Sequence, residues 1–262
     1  MVSSSEGVPK FACGQCGKCC SHMRGMISEE DKEFLRQYAF GMLPLVQIVP
    51  IDEMAFPLFD FEAKRFKEWQ KDVKIDAKIK PSRVILDLES NRAIVVTYYM
   101  DYDACPFLKD NKCVLYDKYR AYICRMFPFN RGPFLKTQDE LKKEDMFGSC
   151  GQVEKIIPAL SSDKEKMTGQ LKESLGSELL NVVEFDYLQE WVNKTIVNLI
   201  KSKKIRAAMN YPYEFLVKRI ENASKIDLMD FLVEAKVHSK EDIENLIKRF
   251  DSNADAKELL AG

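Results

Sequence analysis

The chain has 262 residues, 46% apolar and 31% charged, the make-up of a folded protein with one large or two small domains and not of a disordered chain. Forty Lys and Arg against 41 Asp and Glu leave a net charge of -1, which supplies no overall electrostatic drive toward nucleic acid or an anionic membrane. No run of about 18 apolar residues is present to span a bilayer, and Met1-Val2-Ser3-Ser4-Ser5-Glu6-Gly7 lacks the apolar stretch of a signal peptide, so a cytoplasmic protein is expected, with no membrane and no nucleic acid among its partners.

In chain order, residues 11–20 (Phe-Ala-Cys-Gly-Gln-Cys-Gly-Lys-Cys-Cys) form a Gly-rich loop whose glycines permit tight turns. Ser28 with Asp31, followed by Phe34, Leu35 and Tyr38 at helical spacing, predicts a helix near 29–40. Pro44, Pro50 and Pro57 break the stretch 41–59 into an extended, packed connection, and 61–73 reads as a helix. Val84-Ile85-Leu86 and Ala93-Ile94-Val95-Val96-Thr97-Tyr98-Tyr99 flank a Ser90-Asn91 turn and predict a β-hairpin. Beyond Cys150 the pattern becomes charged and helical, with Leu179, Leu180, Val183, Tyr187, Leu188, Trp191 and Ile196 at three- and four-residue steps. Pro212 marks a further helix start, 227–236 another, and Ser239 with Asp242 caps a last helix ending near Phe250. The expected fold is therefore mainly α with a small β-hairpin (α+β): a cysteine-rich, metal-centred domain over 1–154, then an all-helical region over 155–262.

In a reducing compartment clustered thiols bind metals or do redox work more often than they form disulfides. The eight cysteines, Cys13, Cys16, Cys19, Cys20, Cys105, Cys113, Cys124 and Cys150, are therefore the candidate metal ligands. Cys13, Cys16 and Cys19 are three residues apart, which lets one loop turn several sulfurs toward a common centre. Successive side chains diverge, so Cys19 and Cys20 are not expected to share one small tetrahedral ion easily, and one of them would serve a second site. Two four-cysteine sites, or one such site with four other thiols, both remain open. The C-x-x-C-x-x-C run with a remote Cys105-Pro106 echoes ferredoxin ligation and puts an iron–sulfur cluster, of the 4Fe–4S type, ahead of zinc.

The ordered motifs Phe11-Ala12-Cys13-Gly14-Gln15-Cys16-Gly17-Lys18-Cys19-Cys20, Cys105-Pro106-Phe107-Leu108, Cys113-Val114-Leu115-Tyr116 and Cys124-Arg125-Met126-Phe127-Pro128 resemble the CxxCxxCC (YkgJ-type) cysteine-cluster family, described as zinc- or iron-chelating. The resemblance covers about residues 11–151; where that family often has Arg-Pro before the last motif, this chain has Arg120-Ala121, and no ligand is lost. It implies metal or cluster binding, with a role in redox, cluster handling or structure. It extends to flagellin lysine-N-methylases, which implies as an alternative a protein lysine N-methyltransferase using S-adenosylmethionine. A structural zinc module is the third expectation. In the latter two cases the helical region would meet a protein partner or protein substrate.

Other residues are weaker candidates. His22 lies two positions after Cys20 but is not needed beside eight cysteines, and His238 reads as a surface helix residue. Lys18 and Arg125 adjoin cysteines, where positive charge would offset thiolate charge. Tyr98, Tyr99, Tyr102, Tyr116, Tyr119 and Tyr122 crowd the second cysteine group, and Asp101 and Asp103 flank the same loop; core packing and solvated turns account for these equally well. Lys201, Lys203, Lys204 and Arg206 form a basic run that complements a helix end.

Overall fold

The computed structural model describes residues 7–21, 24, 44–50, 53, 55–129, 143, 146 and 150–261. The helix expected near 29–40 and His22 lie outside the described residues. One helical turn, α1 (Lys18–Ser21), closes the opening loop. The proline-broken stretch supplies two short strands, β1 (Val46–Gln47) and β2 (Pro57–Phe59). Helix α2 (Asp60–Val73) follows β2 at once: the Glu62 carboxylate accepts the Phe59 N–H at 3.0 Å, and Lys74 at φ 55 ends the helix.

The predicted hairpin is present and longer, as β3 (Ile79–Asp87) and β4 (Arg92–Met100), with Asn91 taking φ 53 in the turn. Strands β1, β3, β4 and β2 pair antiparallel in that order. A second, two-stranded hairpin, β5 (Leu108–Lys109) and β6 (Lys112–Cys113), precedes the short helix α3 (Tyr122–Met126). Helices α4 (Val153–Ile156), α5 (Lys164–Leu175) and α6 (Ser177–Lys201) follow. The remainder is α7 (Tyr213–Asn222), β7 (Ser224–Asp227), α8 (Leu228–Glu234), α9 (Lys240–Asp251) and α10 (Ala254–Ala261). The fold is thus mixed α+β. The capping box read from Ser239 and Asp242 is present, with Ser239 Oγ accepting the Asp242 N–H at 3.0 Å and the Asp242 carboxylate accepting the Ser239 N–H at 2.8 Å.

The expectation of an all-helical region over 155–262 is corrected by β7. Strand β2 covers β4 only at Thr97–Tyr99, leaving Arg92–Val95 with unpaired backbone groups, and Ser224–Asp227 satisfies them by pairing in parallel. The helix expected over 227–236 accordingly starts at Leu228.

Apolar burial is arranged on the two faces of this sheet. On one, Leu216 and Ile220 of α7 cover Val84, Leu86, Ala93 and Val95. On the other, Ile85, Ile94 and Val96 join a large cluster that draws in Met126, Leu171, Phe185, Leu188, Ile196 and Phe250, residues from both sides of position 154. Phe185 of α6 sits 5.7 Å from Phe59, ring centre to ring centre. Each such buried side chain contributes roughly 1.5–3 kcal/mol.

Candidate metal centre

The opening loop reaches the second cysteine group because Gly17 allows it. Gly17 takes φ 75, and a Cβ built there would lie 2.9 Å from Leu108 Cδ1 and 3.1 Å from the Asn111 carbonyl, so only glycine lets the loop lie on the β5–β6 turn. The Cys20 N–H and the Ser21 hydroxyl both donate to the Gly17 carbonyl at 2.9 Å, which winds α1. The Cys20 carbonyl in turn accepts the Cys105 N–H at 2.7 Å, joining segments 85 positions apart by a main-chain bond.

The second group is folded by tight turns. Asp110 and Asn111, at φ 49 and 60, make the two-residue connection that matches strand twist in a hairpin, and set Cys113 opposite Leu108. The Leu108 N–H donates to the Cys105 carbonyl at 3.0 Å, while Phe107 is fully buried beneath. Cys124 lies in α3, whose position is fixed from outside: the Glu62 carboxylate accepts the Tyr122 N–H at 2.7 Å, and Arg120 donates to the Cys124 carbonyl at 2.6 Å.

These turns set five thiols in one region, of which two are in contact. Cys19 and Cys20 place their sulfurs 3.7 Å apart. The divergence expected from adjacency does not keep these two sulfurs apart. Cys19 lies within electrostatic reach of Cys105, Cys113 and Cys124. Among the described residues no three His, Cys, Asp or Glu side chains are gathered closely enough to hold an ion. Comparison with known proteins finds no matching family, no matching curated protein and no matching solved structure.

The environment of Cys19, Cys105, Cys113 and Cys124 favours the protonated thiol. The hydrogen bond to Cys20, with burial behind it, pushes the Cys19 thiol far up; burial pushes Cys105 up to about 11, and raises Cys113 and Cys124 as well. The positive charge that opposes this at Cys19, Cys113 and Cys124 is that of Arg120. Its guanidinium lies 4.8 Å from the Tyr116 ring centre and 3.9 Å from the Glu178 carboxylate of α6. Arg125, singled out in the sequence with Lys18, instead covers the Tyr122 ring at 4.9 Å and donates to the Arg120 carbonyl at 3.0 Å.

The other three cysteines are placed differently. Cys13 lies beside Tyr116, Cys16 is exposed, and Cys150 is buried in the apolar cluster. The tyrosines mostly send their hydroxyls away from the thiols: Tyr98 to Asp227, Tyr102 to the Asp76 carbonyl, Tyr119 to Asp72 and Tyr122 to Asp251. Asp101 is occupied by Arg24 at 2.7 Å and Lys80 at 2.6 Å. His238, expected on a helix surface, is half-buried in a turn with its ring 6.1 Å from that of Trp191.

Sequence reasoning missed two contributors. Arg120 stands out in the sequence only as the residue before Ala121, where the resembled family often has Arg-Pro. Asp251, 127 positions beyond Cys124, accepts both guanidinium nitrogens of Arg65 at 2.9 and 2.7 Å and the Tyr122 hydroxyl at 2.6 Å. The only available signal was the Arg in Cys124-Arg125; its acidic partner is fixed by tertiary structure.

Proposed function

We propose that the chain is a metal-binding protein in which four thiolates, drawn from Cys19 and Cys20 of the opening loop and from Cys105, Cys113 and Cys124 of the second group, close on a metal centre joining the two segments. The observation that carries this reading is the 3.7 Å separation of the Cys19 and Cys20 sulfurs. A tetrahedral ion with metal–sulfur bonds of about 2.3 Å has sulfur–sulfur edges of about 3.8 Å. In an iron–sulfur cubane each cysteine binds a different iron and the cysteine sulfurs stand much farther apart. The pair therefore suits two corners of one ion, zinc or a single iron, better than a cluster. The ordered cysteine motifs, with their resemblance to the CxxCxxCC family, support the same assignment. An iron–sulfur cluster is the second reading, supported by the C-x-x-C-x-x-C run with remote Cys105-Pro106.

Such a centre would contribute folding free energy by tying the opening loop to the second cysteine group. Its ligands must lose their protons to bind, and thiols held protonated by burial make affinity rise with pH. The Arg120 guanidinium would offset part of the charge of the assembled thiolates.

Elemental analysis of protein purified without oxygen tests the proposal. About one zinc or iron per chain, lost in both Cys19→Ser and Cys20→Ser, is the expected result. A colourless zinc protein supports the single-ion reading, and acid-labile sulfide with iron the cluster. Folded protein containing neither metal overturns both.

A further inference from the structure

The C-terminal helix α10 is docked by very little apolar surface. It packs against α6 and α9. Of residues 254–260 only Ala256 is buried, and Leu259 is 40% exposed. Two polar contacts from α6 hold the start of the helix. The Asn181 side-chain carbonyl accepts from the Asn253 amide at 2.9 Å, and one oxygen of the Glu184 carboxyl, Oε2, accepts the Ala256 N–H at 2.8 Å.

The other oxygen of that carboxyl is buried and meets no donor. Beside Glu184 lies a second acid, Asp255 of α10. The cation that reaches Glu184 is Arg249 of α9, whose guanidinium is already engaged by Asp255 at 2.6 Å and by Glu258 at 3.3 Å. Other charged groups nearby are directed elsewhere. Lys257 of α10 donates to the Ser252 carbonyl, and Asp251 of α9 accepts from Arg65 and Tyr122. On α3, which also packs against α6, Arg120 faces Glu178 and Arg125 covers the Tyr122 ring. Asp186, two positions on in α6, does not share a face with Glu184.

A buried carboxylate with an empty oxygen beside another acid is costly twice over, through an unmet acceptor and through like charge. One proton on Glu184 removes both costs, because the neutral carboxyl carries no charge and its O–H can donate toward Asp255. Burial, reinforced by Asp255, raises the Glu184 carboxyl to about 7.

We propose that Glu184 and Asp255 form a proton-operated latch: with one proton between them α10 is docked, and its loss sets two carboxylates against each other and releases α10 from α6. Once α10 opens, Glu184 meets water and ionises as an ordinary carboxyl. Docking is therefore strongest at acid pH and weakens as pH rises through neutrality. The latch is independent of the metal reading.

Hydrogen–deuterium exchange of the full chain tests it. From about pH 6 to about pH 8, with intrinsic exchange rates divided out, the amides of residues 256–261 should open about tenfold more often, while those of α6 keep their protection. Glu184→Gln cannot ionise, still accepts the Ala256 N–H and has an amide donor for Asp255, so in that variant α10 should stay protected at both pH values. Asp255→Asn leaves Glu184 in place but removes the like charge, and should show a smaller rise than the wild type. Equal protection of 256–261 at the two pH values overturns the proposal, as does a rise that persists in Glu184→Gln or is undiminished in Asp255→Asn. So does loss of protection in Glu184→Gln at both pH values, or an opening of α6 in step with α10.

Discussion

The cysteine-bearing segments and the long helix α6 are held in place by different physics. Helix α6 buries Leu179, Val182, Val183, Phe185, Leu188, Val192, Ile196 and Leu199 along one continuous run. Helix α1 buries no residue, and β5 and β6 have no buried position. Tyr122, Ile123 and Met126 of α3, with Phe107 and Leu115, anchor the second cysteine group in the core, while α1 and the β5–β6 turn are fixed by single contacts, the Cys105 N–H to the Cys20 carbonyl and Gly17 on that turn. Apolar area holds α6 and α3, whereas α1 and the β5–β6 turn depend on directional bonds and on whatever joins their sulfurs. The least self-sufficient part of the molecule is also the part richest in metal-ligating chemistry.

The largest expected effect separates the two regions from the helical side. Phe185→Ala removes a fully buried ring that packs on Phe59, and such truncations cost about 3–5 kcal/mol. Urea unfolding should show that loss, while metal bound per folded chain stays at the wild-type value. A variant that loses metal while still folded would mean that the two regions are not independently held.

An intermediate effect is expected where the regions meet. Asp251, at the end of α9, accepts from Arg65 and from Tyr122 in the helix that carries Cys124. Asp251→Ala leaves those donors without their acceptor and should cost ~1–3 kcal/mol. Because α3 loses a tie, metal release to a competing chelator should also quicken in this variant, unlike in Phe185→Ala. Equal release rates would show that the tie serves stability alone.

How far the sequence discloses each region follows the same division. The β3–β4 hairpin was legible because β-branched and aromatic residues run on either side of a turn, and the α9 cap because Ser239 and Asp242 sit three apart; both are local signals. Strand β7 was not, since Ser224-Lys225-Ile226-Asp227 has one apolar residue and becomes a strand only because β4 has an open edge. In the candidate metal centre, residue types and spacing named the cysteines. The approach of Cys19 to Cys20, the field of Arg120 and the reach of Asp251 arise from turns and packing that no local pattern encodes.

The smallest expected effect concerns a buried acid between the sheet and the C-terminal helices. Asp60, at the start of α2, accepts the Met229 N–H at 2.7 Å, yet burial, reinforced by the charge of Asp227, raises its carboxyl to about 7. A carboxyl whose folded value lies above its unfolded value binds its proton more tightly in the native state. The stabilisation is complete at pH values below the unfolded titration, and it fades as pH rises through the folded one. From about pH 6 to about pH 7 this group alone should remove about 1 kcal/mol of stability. In Asp60→Asn the side-chain carbonyl still accepts from Met229 but cannot ionise, so that slope should flatten by about the same amount in urea titrations at the two pH values. An unchanged slope would assign the pH dependence to other buried acids, Glu62 and Glu184 foremost, both also raised by burial to about 7.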